Sequence, residues 1–215
     1  MTSATSQDVV AASRQTLIRR ALWLAAFTVI WNIAEGVIAI VAAARADSRA
    51  LIGFGVDSFV ESASASVLIW RLRIEQRSPE RADQVEQRAL RIIGVTFLLL
   101  AGVVGVESVR SVVAGEQPDA SALGIGLTMV SLIVMPALAR AKRRVGRDLG
   151  ARSVEADSRQ TQACVYLSAV VLLGLVLNAG FGWWWADPVA ALAVVVFLVQ
   201  EGRAALRADH VDECC

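Results

Sequence analysis

The chain of 215 residues is 56% apolar and 19% charged, with a net charge of +1 and a mean hydropathy of +0.56; an ordinary soluble domain is about 45–50% apolar. Several apolar runs approach the ~20 residues that cross a ~30 Å hydrocarbon layer, so the composition excludes a soluble enzyme, a disordered chain and a secreted disulfide scaffold. It predicts an all-α polytopic membrane protein. The charge balance singles out no class of partner, and a nucleic-acid partner is not expected.

Six transmembrane helices are expected, at about 20–44, 50–71, 90–112, 121–141, 155–178 and 186–206. An N-terminal arm over 1–19 and a short tail over 207–215 flank them. Before the first span, Arg19 and Arg20 imitate a signal peptide, as do the small residues Ala42-Ala43-Ala44. The length of the apolar stretch and the presence of Glu35 mark a retained helix instead. Asn32 and Glu35 share one face of that helix. The second span holds Asp57 and Glu61 one turn apart, followed by Ser62-Ala63-Ser64-Ala65-Ser66, a small-residue face on which another helix can pack closely. Near the outer end of the third, Glu107 and Arg110 are spaced for a local ion pair.

Span five carries Asp157, Gln160, Thr161, Cys164 and Ser168 at three- and four-residue steps, one polar stripe on an otherwise apolar helix. Trp183, Trp184 and Trp185 read as an interfacial belt. Asp187 and Pro188 read as the cap and first position of span six. Glu201, near the cytoplasmic end of that span, is expected to meet water or an arginine. Cys164, Cys214 and Cys215 offer no pairing framework, so no structural disulfide is expected. The tail, with His210 beside Cys214 and Cys215, reads as disordered; weak metal collection is the alternative.

Orientation follows from the basic residues. Seventeen of the 21 fall in the N-terminal arm (Arg14, Arg19, Arg20), the 71–91 loop, the 140–152 loop (which includes Lys142, the only lysine) and the tail. Cytoplasmic loops carry such an excess, so both termini are expected in the cytoplasm, in agreement with an even number of spans.

Ionisable groups inside a bilayer are expensive and mark function. Asp57 and Glu61 cannot both stay ionised without a counter-charge; they share protons or hold a cation. A competing structural reading neutralises them with an arginine from another helix. The candidate is Arg159, which has Glu155 four residues before it as its own expected partner. If spans two and five run antiparallel, Asp57 lies near the level of Cys164 and Glu61 near Gln160, which makes Asp57, Glu61, Gln160 and Cys164, with Asp157, a candidate metal site. Oxygen ligands suit a divalent cation, and a thiol favours thiophilic ions such as zinc or cadmium. As a lone buried cysteine, Cys164 reads equally well as a small hydrophobe.

These residues resemble a known family. Asn32-Ile33-Ala34-Glu35-Gly36, the run Leu51–Glu61, the run Ser153–Thr161 and Trp184-Trp185-Ala186-Asp187-Pro188 are similar to the cation diffusion facilitator, or cation efflux, family. The resemblance covers about residues 20–206 and implies a six-span homodimer in a bacterial plasma membrane. It also implies export of a divalent metal, usually zinc, in exchange for protons. The family's D-xxx-D on span two and H-xxx-D on span five correspond here to Asp57-xxx-Glu61 and Gln160-xxx-Cys164. The carboxylates are kept; an imidazole and a hard oxygen ligand are not. The chain resembles the transmembrane-only branch of the family. Two other readings are open: a proton-coupled exporter of organic cations, and a metal-binding membrane subunit or sensor without transport. An enzyme is not expected, since no nucleophile–base pair or nucleotide motif is present.

Overall fold

The computed structural model describes residues 2–46, 49–115, 122–181, 183 and 186–207. Over these every regular element is helical: α1 (Thr2–Ala46), α2 (Arg49–Arg77), a 3-10 turn at Pro79–Arg81, α3 (Ala82–Ala114), α4 (Ala122–Leu149), α5 (Arg152–Phe181) and α6 (Ala186–Arg207). Each expected span lies within one of these helices, give or take a residue. Most helices extend beyond the apolar segment, chiefly on the arginine-rich side. α1 runs unbroken from Thr2, because no glycine or proline interrupts residues 2–35, so the expected arm is the first part of that helix. α6 starts at Ala186, which puts Asp187 inside the first turn rather than at the cap; proline is tolerated there. Trp184, Trp185 and the tail residues His210, Cys214 and Cys215 lie outside the described residues.

Three described segments, Ala12–Arg45, Pro79–Ala114 and Leu123–Leu149, are long and apolar enough to cross a membrane. α2 and α5 carry interior polar residues that lower their hydropathy. The distribution of side chains differs from that of a soluble bundle, with large apolar groups outside and polar groups added to an apolar interior. Trp23 (78% exposed), Ile133 (73%) and Leu99 (61%) face outward, while Asp57, Glu61, Lys142, Asp157 and Gln160 are buried. Such a surface is stable against lipid and not against water.

The closest pairings are α1 with α2, α3 with α6 and α4 with α5. The α4–α5 hairpin turns on Gly150, whose φ of 66° is the left-handed conformation that glycine tolerates. Gly150 N–H donates to Arg147 O at 3.1 Å and Ala151 N–H to Gly146 O at 3.0 Å, the bond pattern of a Schellman cap. This tight turn fixes the register of α4 against α5. α3 and α6 cross at Gly94 and Gly202: a Cβ on Gly202 would stand 3.0 Å from Leu98 Cδ2 and 3.1 Å from the Gly94 carbonyl oxygen. Backbone cannot yield as a flexible side chain does. Gly202→Val should therefore separate the pair and destabilise the protein by about 1–3 kcal/mol, read as a lower melting temperature in detergent; unchanged melting would contradict this close crossing.

Candidate functional site

The centre of the bundle is polar. Asp57 and Glu61 project from one face of α2, both fully buried, and none of their four carboxylate oxygens has a hydrogen-bond partner. Asp57 is in electrostatic reach of Cys164 on α5 and Glu35 on α1. Glu61 is in reach of Lys142 on α4, Asp157 and Thr161 on α5, and Asn32 on α1. Asn32 is buried with both amide atoms unpartnered; Glu35 accepts a hydrogen bond from Ser58 Oγ at 3.1 Å through one oxygen and leaves the other unpartnered. Each unpaired buried polar group costs on the order of 1–3 kcal/mol or more. So many on the facing parts of α1 and α2 mark a place suited to an ion or water.

The structure brings some of the expected site residues together and separates others. Asp57 lies against Cys164, across the α2–α5 interface. Cys164 is a free, buried thiol that also packs with Ala39, Phe54, Met135 and Leu138. Gln160 is turned towards α3, where its Oε1 accepts from Thr96 Oγ1 at 3.4 Å; its Nε2 is unpartnered. Asp157 is engaged elsewhere, with Oδ2 2.7 Å from Lys142 Nζ and Oδ1 accepting from Ser64 Oγ at 3.4 Å. Among the described residues no three His, Cys, Asp or Glu side chains converge into a closed metal cage.

Two expectations about basic residues are corrected. Arg159 was expected to pair with Glu155; its Nη1 instead meets Glu201 on α6 at 2.8 Å, while Glu155 lies over Gly146 of α4. An available i, i+4 partner loses here to a neighbouring helix. Nor is Arg159 the basic group nearest the carboxylates. That group is Lys142, counted from sequence among the loop charges but 1% exposed at the interior end of the α4–α5 hairpin. One signal for it was present: Lys142 and Asp157 stand nearly equidistant from Gly150, so a tight turn there makes them face each other.

With this geometry in view, comparison with known sequences is decisive. The family described as the cation efflux transmembrane domain matches residues 24–209. The chain belongs to the cation efflux family. It is 24% identical to an uncharacterised transporter of Methanocaldococcus jannaschii, over 80% of this chain and 62% of that one. It is 27% identical to an uncharacterised transporter of Synechocystis, over 74% and 53%. With the cation-efflux pump FieF of Shewanella oneidensis it shares 33% identity, over 51% and 35%. The chain thus spans about half the length of the curated relatives it matches. The family makes it an integral membrane protein.

On the arginine-rich side this cation efflux protein is tied together by charge. Arg71 Nε reaches Glu86 of α3 at 2.5 Å, and its Nη1 pairs with Glu75 one turn on; Arg14 of α1 meets Glu75 at 2.5 Å. Glu86 also accepts from Ser153 at the start of α5, from N–H at 2.6 Å and Oγ at 2.7 Å. Arg14 donates to the Leu149 carbonyl at 3.3 Å. Four helices meet through Arg71 and its two carboxylate partners, Arg14 extends the mesh to α4, and Arg71, assigned from sequence to a loop, is buried. Arg71→Leu leaves Glu75 and Glu86 without their shared cation. It should destabilise the protein by about 3–5 kcal/mol, measured by thermal unfolding in detergent; an unaltered melting temperature would show that the mesh contributes nothing.

Proposed function

We propose that this protein exports a divalent cation, zinc in the first place, from the cytoplasm in exchange for protons. Asp57 and Glu61 serve as the two anionic ligands, and Gln160 and Cys164 as neutral and thiophilic partners. The observation that carries this reading is the set of four carboxylate oxygens on Asp57 and Glu61, fully buried and without hydrogen-bond partners. Their combined charge of −2 is what a divalent ion neutralises, and protons are the alternative occupants of the same oxygens. Binding of one and release of the other are thereby coupled at a single place. Asp157, expected from its stripe to be a ligand, is left out of this set because Lys142 already neutralises it.

The accompanying architecture is six membrane-crossing helices with both ends in the cytoplasm, working as a homodimer by alternating access. The basic residues concentrated on one side support the orientation, and the arrangement of interior polar and exterior apolar groups supports the six crossings. The thiol of Cys164 biases the site towards zinc or cadmium over magnesium or calcium.

Calorimetric zinc binding to variants tests the assignment. Asp57→Asn keeps the shape of the side chain and removes its charge, so zinc affinity should collapse, by about a hundredfold or more, while the helical fold survives. Cys164→Ser should act more mildly and weaken zinc or cadmium more than manganese. Wild-type affinity in Asp57→Asn would overturn the site.

A further inference from the structure

Lys142 is the chain's only lysine, and it is buried on α4. Its ammonium stands 2.7 Å from Asp157 Oδ2 and donates to Thr161 Oγ1 at 2.9 Å. Thr161 Oγ1 in turn donates to the Asp157 carbonyl at 3.3 Å, leaving its lone pairs free to face the ammonium. Glu61 is a second carboxylate in electrostatic reach of the same charge. One cation on a flexible four-carbon stem is therefore paired with one buried carboxylate and in electrostatic reach of a second, and only the second, Glu61, belongs to the proposed ligand pair.

We propose that Lys142 is a cation built into the transport site, and that Asp157 is the positioning residue that holds it off Glu61. The inference rests on the reading of Asp57 and Glu61 as cation ligands. With the ammonium seated on Asp157, the two ligands keep a charge of −2 and match a divalent ion. With the ammonium on Glu61, a charge of −1 remains, and a divalent ion has to expel a tethered cation before it can bind. Asp157 thus sets the affinity and the charge selectivity of the site without touching the cargo. Its own charge is cancelled by the same contact, so it adds nothing to the pull on the ion.

The experiment is zinc calorimetry on the purified full chain in detergent, comparing wild type, Asp157→Asn and the double variant Lys142→Met with Asp157→Asn. The asparagine keeps the shape and the Ser64 contact but cannot hold an ammonium, and Lys142 still finds Glu61, so the fold is retained. Zinc affinity should fall about tenfold or more, as expected when a buried charge pair must be broken. Removing both partners of a buried pair is commonly near neutral for stability, and the double variant should recover to within about threefold of wild type. A double variant as weak as Asp157→Asn would make Asp157 a direct ligand and overturn the proposal. So would unchanged affinity in Asp157→Asn. Wild-type protein that binds no zinc at all would instead overturn the ligand assignment of Asp57 and Glu61. A second readout is independent of affinity. In protein isotopically labelled on lysine, the single Lys142 ammonium signal should hold its position when zinc is added to wild type and shift when zinc is added to Asp157→Asn. A signal that shifts in neither would count against displacement.

Discussion

Four carboxylates, Glu35, Asp57, Glu61 and Asp157, and one ammonium, Lys142, are buried together inside a bundle whose outer surface is apolar. That charge imbalance is the constraint to which the rest of the structure answers. The ammonium is committed to Asp157 at 2.7 Å, which leaves the α2 pair uncompensated. A protein interior does not tolerate such a pair unless something mobile completes it, and the two mobile species of suitable charge are protons and metal ions. The proposed transport chemistry rests on this more directly than on any single ligand.

The surrounding helices have to hold the imbalance in place. They do so with backbone-close crossings, as at Gly94 and Gly202, and with the charge mesh around Arg71, Glu75 and Glu86 on the arginine-rich side. Both devices fix helix positions through groups that cannot relax far. Between them lies the polar centre, where Asn32, Gln160 and the carboxylates keep unpartnered atoms. Rigid ends and an under-bonded centre are what a site needs if its occupant is to change.

Much of this was legible in the sequence because the signals are local. The i, i+4 spacing of Asp57 and Glu61 puts them on one face, and the stripe on α5 follows from helical periodicity. Partner choice was not legible, because it depends on register between helices. Arg159 had a plausible partner on its own helix and took Glu201 on α6. Gln160 turned to Thr96 on α3. Lys142 and Arg71 were assigned to loops because charges next to apolar runs usually sit there. The Gly150 turn and the continuation of α2 to Arg77 carry them inside instead. A tight hairpin turn read from its glycine would have recovered the Lys142–Asp157 pair. Nothing local would have recovered the α3 partner, and for α6 the sequence offered only that Glu201 needs water or an arginine, which Arg159 supplies.

The central claim is that the uncompensated charge of Asp57 and Glu61 is the coupling device between a divalent cation and protons. The most direct measurement is zinc uptake into inside-out proteoliposomes with an acidic interior. The account predicts uptake that depends on the pH gradient, dissipates the gradient as zinc enters, and disappears when Glu61 is replaced by Gln. Zinc uptake that proceeds equally with and without the gradient, or in Glu61→Gln as in wild type, would contradict it.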